Sequence, residues 1–380
     1  MNAHLASLSG RLAAAARPVL RRYRASGADW PWGDPLAAHG LAMEGYFWRV
    51  TDVRAGTSLI ALIGVNRPRT GEPWATVGLA DWPGGFLRTA ALPQAWADPD
   101  TLGASSGTAF VADQRRVRVD LGPECRLDLE ISDPVVWPAA PFGGSSYFQS
   151  VPGLNQYWHP WLLGGTVSGE AQLDGRTLSF EDAHIYGEKN WGKGGFPGHW
   201  WWGQAQGFAE REACVAFAGG EVSAGPLRTT VTGLVVRLPD ARIFRLGNPF
   251  TSPVNAAVSD DSWVLEGKAL RALGTGWTVR VEATAPLKHA HVLPVPLPEE
   301  RRNVAGALEH LGGRLHVEVR HRGRAVWEGT SPLAGLEHGG LDRARAELLD
   351  RGHSATDVDA PPVTEKPPLD PPQMAAFELD

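Results

Sequence analysis

The 380-residue sequence has only two cysteines, Cys125 and Cys214. Two are too few for a disulfide framework, and neither lies near a second Cys or in a Cys/His zinc pattern. They could pair only if the fold brings them together. A reduced, cytoplasmic compartment is the expectation. No run of about 18 apolar residues occurs, so no helix is expected to span a bilayer. There is no Lys/Arg run, and the formal net charge is -6, which speaks against a nucleic-acid-binding face. There is no Gly-rich phosphate loop in strand–helix context, no Gly-x-Ser-x-Gly elbow and no His-x-Glu-x-His-type spacing. Accordingly no metal or other cofactor is assigned.

What is present is ordinary globular composition, 43% hydrophobic and 21% charged, in a chain long enough for two domains. Residues 5 to 24 place Leu5, Leu8, Leu12, Val19 and Leu20 among Ala and Arg. That segment lacks the uninterrupted apolar core and cleavage site of a signal peptide. Pro18 breaks or starts a helix there. The helix either docks on the protein or lies on a membrane surface with its Arg cluster towards headgroups, the one route to peripheral membrane contact.

Gly (45) and Pro (30) are spread throughout, and long helical periodicity is absent from the middle of the chain. Short alternating runs recur instead, such as 58–65, 74–80, 126–131, 214–218 and 277–283. Arg116 to Leu121 and Leu315 to Val319 alternate polar with apolar, as half-buried strands do. Many short strands at this spacing imply barrels or sandwiches. Asp174-Gly175, between Thr166–Leu173 and Thr177–Phe180, is a hairpin signal. Leu341 to Leu349 reads as a C-terminal helix. From Ser354 the chain is rich in Pro, Asp and Glu and is expected to be a disordered tail. The expected organisation is a lead-in over 1–36, a first barrel over 37–150, a second over 151–340 that includes an aromatic linker, and a helix and tail over 341–380. The natural boundary lies near 132–170.

Of the 16 Trp residues, many fall between Trp137 and Trp202. Taken as a strand, Asp182 to Asn190 puts Asp182, His184, Tyr186, Glu188 and Asn190 on one face. Such a row is either a solvated face or the polar wall of a cavity. Trp200, Trp202, Gln204, Gln206 and Phe208 share the next bulky face, opposite Trp201, Gly203, Ala205 and Gly207. The Trp residues are core filler or the lining of a hydrocarbon pocket. Gly153 to His159 gathers Asn155, Gln156, Tyr157 and His159, either as a packed linker or as hydrogen-bonding groups for a ligand oxygen.

Two stretches, Ser145 to Gly165 (with Tyr147) and Ser179 to Phe208, resemble the tocopherol cyclase family. That family carries Glu-Lys-Asn-Trp-Gly, then Phe-Pro, then a Trp-rich strand ending in Gln. Here these are Glu188, Lys189, Asn190, Trp191 and Gly192, then Phe196-Pro197, then Trp200 to Gln204. Glu44 to Trp48 is similar to the family's N-terminal segment, although the aromatic order of Tyr46-Phe47-Trp48 departs from it. Trp327 to Gly340 resembles its closing strand. The likeness covers most of residues 40 to 340. The family looks related to carotenoid hydratases and Diels–Alderase-like barrel proteins. The resemblance implies an all-β fold of two lipocalin-like antiparallel β-barrels with short terminal helices, and a ligand cavity in or between them.

The family's reaction closes a chromanol ring on a prenylated hydroquinone. A protonated carboxylic acid protonates the alkene, aromatic faces stabilise cationic character, and the phenol oxygen attacks. On that reading Glu188 or Asp182 is the acid, and His159, Tyr186 or Asn190 orients the phenol. Glu44, Tyr147, Asn155, Gln156, Tyr157, His184, Lys189, Trp191, Trp200, Trp202 and Gln204 contact the ligand. If Lys189 paired with Glu188, that acid would stay ionised. A hydratase acting on a terpenoid alkene and a non-catalytic carrier of an isoprenoid stand as alternatives. All three imply a hydrophobic small molecule as partner.

Overall fold

The alternating runs become strands of two antiparallel sheets in the computed structural model, which describes residues 19–193, 196–270 and 276–353. The first sheet has 12 strands, from Met43–Asp52 to Arg176–Gly192, and the second has 10, from Trp200–Ala205 to Arg324–Gly339. Alternation along each strand buries one face. The first sheet curls around Trp48, Ile63, Val77, Phe110 and Trp161. The second curls around Phe217, Leu234, Trp263, Val281 and Leu336. Cys125 and Cys214 are free and buried in different sheets. The expected segments 5–18 and 354–380 lie outside the described residues; residues 19–24 are helical.

The Asp174-Gly175 turn forms as read, with φ of 49° and 73°, and joins Thr166–Leu173 to Arg176–Gly192. The C-terminal helix spans Leu341–Asp350 and buries Ala344 and Leu348, whereas Leu341 and Leu349 are exposed.

The division between sheets corrects the expected one at residue 150. Tyr157–Leu162, Thr166–Leu173 and Arg176–Gly192 all belong to the first sheet, and the second begins at Trp200. The cause is long-range pairing: Arg176–Gly192 runs antiparallel to Met43–Asp52, with Phe47 opposite Glu188 and Gly45 opposite Asn190. Composition made this aromatic segment look like a linker; its hydrogen-bonding partner lies more than 130 residues upstream.

The sheets are locked by Arg49, a fully buried cation from the first sheet. One terminal nitrogen donates to Thr51 Oγ1 (2.7 Å) and Gln204 Oε1 (2.9 Å), the other to the carbonyls of Leu311 (2.9 Å) and Leu333 (2.7 Å). Ser58 donates to the same Leu311 carbonyl at 2.6 Å. A buried charge held by four acceptors in place of water fixes the orientation of one sheet on the other.

Candidate active site

Between the sheets lies a cavity of ≈ 200 Å³. The first sheet contributes Phe47, Leu62, Tyr157, Trp158, Glu188 and Asn190, and the second contributes Trp200, Trp202, Leu293, Val295, Glu309 and Glu337. The strand Arg176–Gly192 decides what faces the cavity. Tyr186, Glu188 and Asn190 point towards the second sheet, and Ile185, Gly187, Lys189 and Trp191 the other way, as the two-residue period requires. Gly45, opposite Asn190, leaves room for that side chain: a Cβ there would stand 2.5 Å from Asn190 Oδ1.

Glu188 is buried, and three donors converge on its Oε2: the Tyr186 hydroxyl at 2.6 Å, and the indoles of Trp158 and Trp202, each at 2.8 Å. Among the described residues Oε1 has no hydrogen-bond partner. Burial raises the Glu188 pKa, and the Tyr186, Trp158 and Trp202 hydrogen bonds oppose that shift. The two influences suit a proton donor. The dry site favours the neutral acid, and the three donors stabilise the carboxylate once the proton has left. Trp202 also packs edge-on against Phe47, with ring centroids 5.3 Å apart. Aromatic surface thus stands beside the acid.

The second sheet adds two carboxyls that were not singled out from the sequence. Glu309 and Glu337 face each other across adjacent strands. Burial, then the charge of Glu337, raises the Glu309 pKa well above its usual value. Burial raises that of Glu337 to about 7 against the Trp200 hydrogen bond. A signal for them was available: Leu308-Glu309-His310 and Leu336-Glu337-His338 repeat the same tripeptide, each followed closely by Gly-Gly. Trp158, the third donor partner of Glu188, was also missed, between the two neighbours that were noted.

The remaining expected site residues divide sharply. Gln156, Tyr157, Trp200, Trp202, Glu188 and Asn190 line the cavity, and Tyr186 stands behind Glu188. Asp182 does not. A bulge between Val167 and Gly169 and a φ of 61° at Asp182 break the alternation there, and its carboxylate pairs with Arg211 at the surface, 2.7 Å away. His184 lies at the same end, outside the cavity; burial, then Arg211, lowers its pKa to about 4.

Lys189 and Glu44 are buried on the opposite face of the strand pair. They form an ion pair of 3.0 Å that also draws in Arg67 and His39. Burial would raise the Glu44 pKa, but Lys189, His39 and Arg67 hold it well below its ordinary value. The conflict between Lys189 and Glu188 therefore does not arise. Trp191 stacks on His39 and donates to the Gly27 carbonyl at 2.8 Å. His159 accepts from the Gly144 N–H through Nδ1, and burial lowers its pKa to about 3, so the ring is neutral and outside the cavity. Asn155 bridges to Glu221 and Ser223, Tyr147 stacks on Phe148, and Gln204 accepts from Arg49. These three are structural contacts. Among the described residues no group of three or more His, Cys, Asp or Glu is arranged to hold a metal ion, and no helix is long and apolar enough to cross a membrane.

Two large antiparallel sheets, each curled around its own core, make a lipocalin-like two-barrel fold. A solved structure, that of CghA, shares the fold with a TM-score of 0.53 at 10% identity, over 79% of this chain and 88% of that one. The family model described as tocopherol cyclase-like matches residues 120–340, and the chain belongs to that family. A probable chloroplastic tocopherol cyclase of rice (Oryza sativa subsp. japonica) is 27% identical over 205 residues, 52% of this chain and 42% of that protein. A chloroplastic tocopherol cyclase of maize (Zea mays) is 36% identical over 78 residues, 20% of this chain and 16% of that one. The matches thus span less than half the length of these curated relatives.

Proposed function

We propose that this protein closes a chromanol ring on a prenylated hydroquinone, with Glu188 as the proton donor to the prenyl alkene. The observation behind the proposal is the placement of Glu188: a buried carboxyl in an aromatic cavity, with one oxygen held by three donors and the other free. Family membership supports the same reading. The Glu188 proton goes to the less substituted alkene carbon. The phenol oxygen bonds to the tertiary carbon and loses its own proton, so product and substrate are isomers. Phe47, Trp158, Trp200 and Trp202 offer ring faces to the cation-like transition state.

The size of the cavity suits one end of such a molecule. At ≈ 200 Å³ it exceeds the roughly 150 Å³ apolar cavity that accepts benzene. It therefore takes the ring and the nearest prenyl unit. The rest of the chain would leave past Phe196, Pro197, Val222 and Val231, which are among the half-buried residues of the lining.

The test is turnover of an ortho-prenylated hydroquinone by the purified full chain in deuterated water. A chromanol carrying one deuterium on carbon is expected by mass spectrometry. A product heavier by one water would favour the hydratase alternative. Tight binding of the hydroquinone without turnover would favour the carrier, and either result overturns the cyclase reading.

A further inference from the structure

We infer that Glu309 and Glu337 form a second polar pole of the cavity, which binds the ring hydroxyl of the substrate and takes up its proton as the C–O bond forms. This rests on the cyclase reading and assigns the half of the reaction that Glu188 leaves open.

The two side chains are cross-strand neighbours, and both line the cavity. Glu309 is 1% exposed, and its Oε1 has no hydrogen-bond partner. Burying such an oxygen is unfavourable unless something satisfies it. No cation does so. Arg49, whose charge Glu309 feels, spends its terminal nitrogens on Thr51, Gln204, Leu311 and Leu333. Glu337 is held on one oxygen by the Trp200 indole. Two neighbouring carboxyls, Glu309 buried and Glu337 half-buried, do not both ionise cheaply, so in this assignment the pair holds one proton. One then donates a hydrogen bond and the other accepts. A hydroxyl is the group that answers both, since it accepts through its lone pairs and donates its own proton.

The distance between the poles is set by a single side chain. Trp202 stands opposite Glu337 in register, and its indole reaches Glu188 at 2.8 Å. A ring hydroxyl at the Glu309–Glu337 pair and a neighbouring prenyl alkene at Glu188 therefore belong to one small molecule. In the step itself Glu188 gives its proton to the alkene carbon, the phenol oxygen forms the C–O bond, and the phenol proton passes to the ionised member of the pair. One proton returning from the pair to Glu188, through solvent, restores both groups, and no oxidant or reductant enters.

The test compares binding of an ortho-prenylated hydroquinone with that of the same prenylated benzene lacking both hydroxyls, followed by quenching of tryptophan fluorescence. The wild-type protein should prefer the hydroquinone by at least about tenfold, as sites built around a hydroxyl do. Glu309→Leu should lose that preference and keep its affinity for the benzene, whereas Glu188→Gln should keep the preference. Glu309→Gln, the conservative variant should the leucine fail to fold, should retain hydroquinone binding at near-normal KM but lose at least about tenfold in kcat. A preference that survives in folded Glu309→Leu, or an unchanged kcat in Glu309→Gln, overturns the assignment. Equal wild-type binding of both compounds overturns it while leaving the cyclase reading standing; binding of neither overturns both.

Discussion

Replacing Glu188 with Gln removes one dissociable proton and very little volume. Its three donors, Tyr186, Trp158 and Trp202, all point at one oxygen. A Gln carbonyl oxygen in that place has the same two lone pairs as the carboxyl oxygen it replaces, so the three donors keep their partner. The stability cost is at most about 1 kcal/mol, the difference between hydrogen bonds to a charged and to a neutral oxygen. It is partly offset because a buried carboxyl is no longer desolvated. For a protein of this size a residual of about 1 kcal/mol moves Tm by only a few degrees. Turnover should suffer far more, since loss of a positioned general acid costs about 10²–10⁴-fold. Melting temperature, hydroquinone affinity and turnover should be measured on one sample. The expected pattern is a small shift in Tm, near-normal affinity and turnover reduced by at least tenfold to a hundredfold. Asp182→Asn is the matched control. Its exposed ion pair with Arg211 is worth about 0–1 kcal/mol at most, and it faces away from the cavity. Wild-type turnover in folded Glu188→Gln, or lost turnover in Asp182→Asn, would refute the reasoning.

Lys189→Met should destabilise the protein in urea denaturation by less than the roughly 3–5 kcal/mol of a stranded buried charge, because Glu44 loses one partner but keeps Arg67 at 2.7 Å and the His39 and Gly40 N–H groups. Adding Glu44→Gln should recover part of that loss, and a Lys189→Met variant as stable as wild type would show that the ion pair contributes nothing. Glu337→Gln should change the pH dependence of stability. A folded pKa of about 7 against an ordinary 4.5 means the folded state binds more protons than the unfolded one in that window. The Glu337 contribution is therefore full below about pH 4.5 and is lost as pH rises towards 7. Relative to wild type, Glu337→Gln should gain up to about 3 kcal/mol between those limits. The comparison must be a difference between the two proteins, because His184 and His310, lowered by burial to about 4, and His159, to about 3, act in the opposite direction as pH falls below 6.5. Parallel pH profiles would show that Glu337 titrates normally.

Local patterns were legible in the sequence, and long-range pairing was not. Alternation identified strands such as Arg116–Asp120 and Cys125–Ser132, and Asp174-Gly175 marked its hairpin, because both depend on neighbouring residues. Nothing local says that Arg176–Gly192 pairs with Met43–Asp52, so the division between sheets was placed about forty residues too early. The polar row from Asp182 to Asn190 was read with one period throughout. It holds from Tyr186 to Asn190 and fails at Asp182, where the bulge turns the side chain to Arg211. The family motif gave a run of adjacent residues, but a strand sends adjacent residues to opposite faces. Glu188 and Asn190 reach the cavity, while Lys189 and Trp191 face the other way, against the lead-in residues Gly27, Ala37 and His39. Glu309 and Glu337 do not stand out one at a time, since their strands also carry Glu318 and Glu328; their pairing across strands gives them meaning.

The two faces of Arg176–Gly192 separate structure from chemistry by charge balance. On the barrel side Lys189 and Arg67 meet Glu44, so buried charge is compensated and the Glu44 carboxyl is held in its ionised form. That is the arrangement of a strut: it fixes register, and removing one member leaves an unpaired charge. On the cavity side Glu188, Glu309 and Glu337 share one apolar space, and each is shifted towards its protonated form. Among the described residues none of the three has an ion-pair partner, and the terminal nitrogens of Arg49, the neighbouring cation, are committed to four other acceptors. A carrier of a hydrocarbon chain would be better served by leucine at all three positions, because buried carboxyls weaken both folding and apolar binding. Keeping acids uncompensated in an aromatic cavity favours their protonated forms next to surface that stabilises cations. Alkene protonation requires both, and that asymmetry between the two faces favours catalysis over carriage.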